Sequence, residues 1–158
     1  MNENRLDGLK EERDLKSRDI AKHLKVNEST YSEWEHNKIP IPTRRIVELA
    51  DFYNVNIDYM LKLTDTRKEI NGKTKLDLEL IGNRLKEIRQ ELDLSLRGLG
   101  EKLNCPFSSL GSYERGENLI NCEILISLSK YSKYSIDYIL GRSNKKWINN
   151  YIDDTMTL

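Results

Sequence analysis

The chain has 158 residues, of which 26 are basic and 26 are acidic, so its formal net charge at neutral pH is zero. This length fits one domain or two small ones, and the charge balance argues against tight, nonspecific binding to nucleic acid. No apolar run approaches the roughly 18 residues that span a bilayer, and the N-terminus lacks a hydrophobic signal region. We therefore expect a cytoplasmic protein with no membrane partner.

Two short helices are predicted at the start of the chain. An apolar face that includes Leu6 and Leu9 predicts a helix within residues 3–13. A narrow apolar stripe predicts a second helix over residues 17–24. The small side chain of Ala21 permits this helix to cross its neighbour closely.

A tight turn and a third short helix are predicted next. The turn at Lys25 requires a left-handed backbone, and Asn27 is a suitable N-cap for the helix that follows. Tyr31 and Trp34 are expected to point inward from that helix. Prolines end it, and Thr43 is expected to cap a fourth helix, which a short fifth helix follows.

The same pattern returns later in the chain. Arg5–Leu61 aligns without a gap with Arg84–Leu140, and apolar positions agree almost throughout. A gapless register of this length indicates two copies of one fold, because a solenoid would need three or more short repeats. The sequence therefore predicts an all-α protein of two consecutive five-helix domains, over residues 1–64 and 76–142.

The segments outside the two copies are a linker and a tail. Residues 65–75 are polar and contain an Asn-Gly turn signal, which predicts a linker. Thr74 and Asp77 resemble a capping box, so the first helix of the second copy is expected to begin near Leu76. Residues 143–158 are predicted to form a short helix, which docks on its own domain or forms a homodimer contact. Its apolar face would consist of Trp147, Ile148, Tyr151 and Ile152.

The cysteines and histidines do not indicate a cofactor site. Cys105 and Cys122 do not form a CxxC pair, so two free, buried thiols in a reducing compartment are expected. Cys122 takes the place of Thr43 and is expected to be the more exposed of the two. His23 and His36 lack further ligands at zinc spacing. With no phosphate loop or catalytic arrangement either, we expect no metal, no cofactor and no enzymatic activity.

The five-helix spacing and two long stretches of the chain carry a family resemblance. Together with WEHNKIPIPTRRIVELADFYNVNIDYML and YERGENLINCEILISLSKYSKYSIDYILG, the spacing resembles the lambda-repressor/Cro-like helix-turn-helix family, also called the xenobiotic-response-element (XRE) family. The resemblance covers residues 5–64 and 84–142. It implies that a basic residue in the first helix of each copy forms a structural ion pair with the glutamate that ends the third helix. These pairs would be Lys10 with Glu35 and Arg89 with Glu114.

The resemblance also implies that the third helix of each copy, the recognition helix, contacts double-stranded operator DNA. In the first copy, the matching base- and phosphate-contacting positions are Ser17, Arg18, Asn27, Glu28, Ser29, Thr30, Ser32, Glu33, His36, Lys38 and Arg44. In the second copy, they are Arg97, Phe107, Ser108, Ser109, Ser112 and Arg115. A glutamate on a recognition helix can accept a hydrogen bond from the N4 amino group of cytosine.

Two functions from different classes remain open at this point. The first is a transcriptional repressor that binds an operator, including one at its own promoter, through both helix-turn-helix units. The second is a helix-turn-helix scaffold that binds and inhibits a protein partner, as a phage-type anti-CRISPR or antirepressor does. The second is favoured by the zero net charge, by Glu28 and Glu33 on the first recognition helix, and by Phe107 on the second.

Overall fold

The structure, a computed structural model, describes residues 3–148 and divides the chain into two compact units, Met1–Lys73 and Thr74–Leu158. The first unit contains the helices α1 (Leu6–Glu12), α2 (Ser17–Leu24), α3 (Glu28–Glu35), α4 (Thr43–Tyr53) and α5 (Ile57–Met60). The second contains α6 (Leu78–Glu91), α7 (Leu96–Leu103), α8 (Phe107–Glu114), α9 (Cys122–Ser132) and α10 (Ile136–Ile139). The predicted all-α fold, with five helices in each copy, is confirmed. Among the described residues, no helix combines the length and the apolarity that crossing a membrane requires.

The core of the first unit is built from one apolar face of each helix. Fully buried side chains come from all five helices in turn, namely Leu6, Ile20, Tyr31, Leu49 and Ile57. Removing a large apolar side chain from water contributes about 1.5–3 kcal/mol. Since no helix of this length is stable by itself in water, this shared core is what holds the helices in place.

The second unit repeats this arrangement around a longer first helix. α6 has 14 residues, whereas α1 has 7. The additional N-terminal part of α6 lies against the C-terminal end of α8, and a Cβ atom built on Gly82 would lie only 2.4 Å from the carbonyl oxygen of Glu114. Glycine is required at this position because the two backbones approach so closely.

A short extended strap follows the last helix of each unit. The first strap, residues 68–70, runs antiparallel to the backbone around Val55 and makes two main-chain hydrogen bonds of 3.1 Å with it. It falls within the segment that was predicted to be a linker. The second strap, residues 146–148, pairs in the same way with the backbone around Tyr134, with main-chain hydrogen bonds of 2.6 and 3.0 Å. Each unit is therefore held together by main-chain hydrogen bonds to its strap as well as by the packing of its helices.

Two helix starts differ from those predicted. Thr43 is the first residue of α4 and is buried, while Pro42 occupies the N-cap position. α6 begins at Leu78, and its N-cap is Asp77, whose carboxylate accepts hydrogen bonds from the backbone N–H groups of the second and third helical residues. The predicted capping box that began at Thr74 is wrong, because Asp77 satisfies these N–H groups by itself.

The described part of the tail is not helical. Trp147 lies in the second strap, and its ring centroid is 4.4 Å from that of Tyr134. Ile148 is 8% exposed. These two residues therefore dock on their own unit, which is one of the two predicted alternatives for the tail. Tyr151 and Ile152 lie outside the described residues.

Both cysteines are free and buried, as predicted. Cys105 and Cys122 are each 8% exposed, so the expectation that Cys122 is the more exposed is wrong. Burial raises the pKa of both thiols, and for Cys122, with the nearby charge of Glu123, it raises the pKa to about 12. Neither thiol has the depressed pKa of a reactive cysteine.

Candidate nucleic-acid interface

The turn between the second and third helices has the same geometry in both units. Lys25 (φ 59°) and Asn104 (φ 52°) adopt the left-handed conformation that the sequence predicts. In each unit, the next residue donates its backbone N–H to the carbonyl of the small helical residue, Ala21 or Gly100, at 3.0 and 2.9 Å. A Cβ atom on Gly100 would lie 2.5 Å from the carbonyl oxygen of Cys105, so the crossing is tight.

Each recognition helix packs one face against the core of its unit, and the opposite face remains for contact with a ligand. In α3, Tyr31 and Trp34 are buried as predicted, and burial raises the pKa of Tyr31 and that of its neighbour Tyr53, the latter to about 12. In α8, Leu110 is buried, whereas Tyr113 is half-buried. The opposite face of both helices is open to solvent.

Both ion pairs implied by the family resemblance are formed, and the first includes a hydroxyl. Lys10 Nζ lies 2.7 Å from Glu35 Oε1, and the Ser17 hydroxyl donates to Glu35 Oε2 at 3.3 Å. Burial by itself would lower the pKa of Lys10, but the hydrogen bond and the charge of Glu35 outweigh it, so the pKa is raised. Ser17, a predicted phosphate contact, is therefore half-buried in this cluster.

The second ion pair joins α6 to the end of α8. Two nitrogen atoms of Arg89 lie 2.6 and 3.1 Å from the two carboxylate oxygens of Glu114, and a third nitrogen donates to the carbonyl of Leu94 at 3.0 Å. The hydrogen bonds with Glu114 raise the pKa of Arg89. In both units, the end of the recognition helix is thus attached to the first helix by a nearly buried ion pair.

The predicted contact residues of the first unit lie on α3 and on the elements that flank it. The exposed residues are Arg18, Asn27, Glu28, Ser29, His36, Lys38 and Arg44, and the partly exposed ones are Ser17, Thr30, Ser32 and Glu33. We call Arg18, Lys38 and Arg44 the cationic rim; they lie at the start of α2, after α3 and at the start of α4. Arg45, the neighbour of Arg44, instead donates to the carbonyl of Leu24 at 2.8 Å and is structural.

The second unit presents a different surface at the equivalent positions. The exposed residues are Arg97, Phe107, Ser108 and Arg115, and the partly exposed ones are Ser109 and Ser112. Arg115 forms a bidentate ion pair with Glu117, with both N–O distances at 3.0 Å, and these hydrogen bonds raise the pKa of Arg115. Because its guanidinium is already paired with a carboxylate, Arg115 offers less charge to a phosphate than an unpaired arginine would.

Two carboxylates that the sequence interpretation overlooked account for much of this difference. The gapless alignment of the two copies places Glu117 opposite Lys38 and Glu123 opposite Arg44. Two of the three positions of the cationic rim are therefore acidic in the second unit. The alignment of the two copies already showed this difference in charge, because it pairs each of these glutamates with a basic residue.

A stacked pair at the start of α8 was also overlooked. The Arg97 guanidinium lies over the Phe107 ring, 4.2 Å from its centroid, and both residues line a shallow groove with Gly100, Glu101, Asn104, Cys105 and Pro106. No sequence pattern indicates such a stack, because it depends on the rotamers of residues from two helices. Among residues 3–148, no three His, Cys, Asp or Glu side chains cluster in a way that could hold a metal ion.

Comparison with known proteins also identifies helix-turn-helix domains in this chain. A family model described as "Helix-turn-helix domain" matches residues 4–66, and another described as "Helix-turn-helix" matches residues 85–139. The "HTH-type transcriptional regulator ImmR" of Bacillus subtilis (strain 168) is 37% identical over 62 residues, which are 39% of this chain and 49% of that protein. The chain thus spans about half the length of this curated relative.

Similar chains also occur among solved structures. The P22 c2 repressor in complex with synthetic operator 9T is 30% identical, and the match covers 44% of this chain and 100% of that one, with a TM-score of 0.38. A chain of the SinR/SinI protein complex is 28% identical, and the match covers 49% of this chain and 79% of that one, with a TM-score of 0.40. The restriction-modification controller protein C.AhdI from Aeromonas hydrophila is 25% identical, and the match covers 40% of this chain and 96% of that one, with a TM-score of 0.38.

The two family matches fall on the two units that carry the helix-turn-helix geometry. The chain belongs to the lambda-repressor-like, or XRE, family of helix-turn-helix proteins, which are DNA-binding regulators, and it carries two units of that family in tandem.

Proposed function

We propose that this protein is a sequence-specific DNA-binding transcriptional regulator that acts as a repressor and uses both helix-turn-helix units. The observation that carries the proposal is the cationic rim, whose three exposed residues lie on the elements that flank the recognition helix of the first unit. The description of the Bacillus subtilis relative as a transcriptional regulator supports the same role. The family to which the chain belongs makes a DNA ligand the first expectation.

The first unit would supply most of the affinity for the DNA backbone. Arg18, Lys38 and Arg44 can each neutralise a phosphate and release its counterions, which gives affinity that depends strongly on salt but not on sequence. Within the same unit, Glu28 is exposed at the first position of α3 and Glu33 is partly exposed. Both carboxylates can accept a hydrogen bond from cytosine N4, so they would contribute specificity at some expense of affinity.

The second unit would contact bases but contribute little affinity for the DNA backbone. Its Arg115 is paired with Glu117, and Glu123 occupies the position of Arg44. The carboxylates of Glu117 and Glu123 repel phosphates. We therefore expect the two units to contribute unequally to binding, although each has the complete helix-turn-helix geometry.

The proposal is tested by a fluorescence-anisotropy titration against the DNA just upstream of the protein's own coding sequence, at two salt concentrations, with random DNA as competitor. Arg44→Ala should weaken binding to specific and random DNA alike, and it should reduce the salt slope by about one. Arg115→Ala serves as the comparison and should have a smaller effect, because Glu117 already neutralises this arginine. Binding no tighter than to random DNA, or affinity unchanged in both variants, would contradict the proposal.

A second candidate function is the capture of a protein partner. It is favoured by the acidic face of α3, where Glu28 and Glu33 could occupy a basic groove on a partner. In that case, Glu28→Lys combined with Glu33→Lys should abolish the interaction in a pull-down from host lysate. If every captured protein were still bound by this variant, the candidate would fail for the first unit.

A second copy of this chain, bound through the tail, is another candidate partner. Trp147 and Ile148 already dock on their own unit, so any such contact would depend on residues beyond 148. Light scattering of the full chain and of a variant with Tyr151→Ser and Ile152→Ser would test it. An equal mass for both proteins, equal to one chain, would exclude the tail as a dimer contact.

A further inference from the structure

The first residue of α8 is an aromatic side chain exposed to solvent. Phe107 is 42% exposed, and among the described residues it shares this degree of exposure with only one other large apolar side chain, Tyr131 at 45%. The exposed part of this phenyl ring gains nothing from burial in its own fold. At the start of a recognition helix, it lies where side chains reach base edges in the major groove.

Arg97 stacks on this ring. Its guanidinium lies over one face of Phe107, 4.2 Å from the ring centroid, and it comes from the second position of α7. Such a cation–π contact restricts the rotamers of both side chains. One face of the phenyl ring is therefore covered by Arg97, and the exposed remainder of the ring is held in a defined place.

The equivalent position in the first unit carries a different chemistry. There, Glu28 offers two acceptor oxygens to a base edge. Phe107 has neither donors nor acceptors, so it cannot distinguish bases by hydrogen bonds. The only apolar group on a base edge in the major groove is the 5-methyl group of thymine.

We propose that Phe107 is a specificity-determining residue that reads thymine through its 5-methyl group, and that Arg97 is a positioning residue for the ring. This inference rests on the proposed function, because it requires the second unit to dock on DNA. Burial of one methyl group corresponds to about 0.8 kcal/mol, or about a fourfold preference for thymine over uracil.

The test compares two DNA fragments that differ only in methyl groups. The fragment upstream of the coding sequence is amplified once with dTTP and once with dUTP, and the affinity of the full chain for each is measured by anisotropy. The wild-type protein should prefer the thymine fragment by about fourfold for each methyl group that Phe107 contacts. Phe107→Ala should lose this part of the preference and bind both fragments more equally.

Matched variants distinguish recognition of thymine by Phe107 from a general change in DNA affinity. Tyr131→Ala removes an equally exposed aromatic side chain of the same unit and should keep the wild-type preference. Arg97→Gln should reduce the thymine-to-uracil ratio, and Arg97→Lys, which keeps a cation near the ring, should restore part of it. A salt-dependent loss of affinity with an unchanged ratio in Arg97→Gln would assign Arg97 to phosphate binding only.

The outcomes distinguish this inference from the proposed function. If the protein binds its upstream DNA specifically but Phe107→Ala keeps the full thymine preference, the inference is overturned and the proposed function stands. If neither fragment is bound better than random DNA, both fail together. If Phe107→Ala leaves both DNA affinities unchanged but abolishes the capture of a protein from lysate, the ring belongs to a protein interface.

Discussion

At the scale of single residues, Cys122 makes the stability of the second unit depend on pH. Burial raises its pKa from 9.0 to about 12, so the folded state retains a proton that the unfolded chain loses above pH 9. Stability is then fully present below about pH 9 and falls as the pH rises. We expect a decline of up to about 1.4 kcal/mol per pH unit from this thiol.

This decline can be isolated with one substitution. Urea unfolding between pH 8 and 11 is followed through Trp147, the only tryptophan of the second unit, in a Trp34→Phe background. Tyrosines also titrate in this range, so the informative quantity is the difference in slope between that protein and the same protein with Cys122→Ala. Equal slopes would show that Cys122 is not a buried neutral thiol.

The ion pair between Lys10 and Glu35 gives a second prediction at this scale. The two side chains are 15% and 4% exposed. Glu35→Gln removes the buried counter-charge of the Lys10 ammonium and leaves only the exposed carboxylate of Asp7, 3.4 Å away. Breaking a nearly buried pair in this way is strongly destabilising. We expect the free energy of unfolding of the first unit to fall by about 3 kcal/mol, measured by urea unfolding through Trp34 in a Trp147→Phe background.

A carboxylate of the same helix provides the control for this measurement. Glu33 is partly exposed, and Glu33→Gln should change the free energy of unfolding by less than about 0.5 kcal/mol. If the two variants were equally stable, the pair between Lys10 and Glu35 would contribute no more than an exposed one.

These residue-level contacts were predictable to different degrees. The sequence identified Lys10 and Glu35 only through the family resemblance, because the partners are far apart in the chain. The pairing of Arg115 with Glu117 was not predicted, although the two are neighbours in sequence. A charge pair in a loop depends on the local backbone, and a pattern of residue types does not fix that backbone.

At the scale of elements, two helical glycines respond in opposite directions to the same substitution. Gly8 in α1 has nothing within 4 Å of the position that a Cβ atom would occupy, whereas at Gly82 in α6 that atom would lie 2.4 Å from a backbone oxygen of α8. Gly8→Ala should therefore stabilise the first unit by about 0.5–1 kcal/mol. Gly82→Ala should destabilise the second unit by about 2 kcal/mol or more.

Thermal unfolding of both variants checks this contrast, with each unit followed through its own tryptophan. A gain of stability in Gly82→Ala would mean that α6 and α8 do not approach as closely as described. A loss in Gly8→Ala would mean that α1 is not a regular helix at that residue.

The elements themselves were largely predictable, and their ends were less so. Apolar periodicity and the gapless repeat define ten helices, because burial of one face leaves a regular pattern. The straps at residues 68–70 and 146–148 left no such pattern. They are held by main-chain hydrogen bonds, which almost any side chains permit. The cap at Asp77 was misassigned because two acceptable capping residues, Thr74 and Asp77, lie within one turn of each other.

At the scale of the whole molecule, the two units share a fold but differ in surface charge. The first combines the cationic rim with an acidic recognition helix. The second combines Arg97 with a recognition helix that begins at Phe107 and whose one charged residue, Glu114, is paired with Arg89. Each unit contains equal numbers of basic and acidic residues, so the overall charge conceals this arrangement. Composition alone therefore could not indicate that the two surfaces differ in charge, whereas the aligned copies compared position by position could.

The difference between the recognition helices predicts an asymmetric operator. The proposed base-contacting positions 28 and 107 carry Glu and Phe, and positions 33 and 112 carry Glu and Ser. Selection from a random DNA library by the wild-type chain should therefore yield two unlike half-sites, separated by about one helical turn or a multiple of it.

Making the second recognition helix resemble the first should make those half-sites more alike. A chain with Phe107→Glu and Ser112→Glu carries the same carboxylates at both pairs of positions, so cytosine should be enriched in both half-sites. Its affinity should fall, because two more acidic groups approach phosphates and Glu117 and Glu123 remain in place. A variant with Tyr131→Glu adds a carboxylate to α9, outside the reading positions, and should leave the selected sequence unchanged. If the double variant selected the wild-type sequence, the second unit would not read bases, and the repeat would serve the protein in some other way than by doubling its operator contacts.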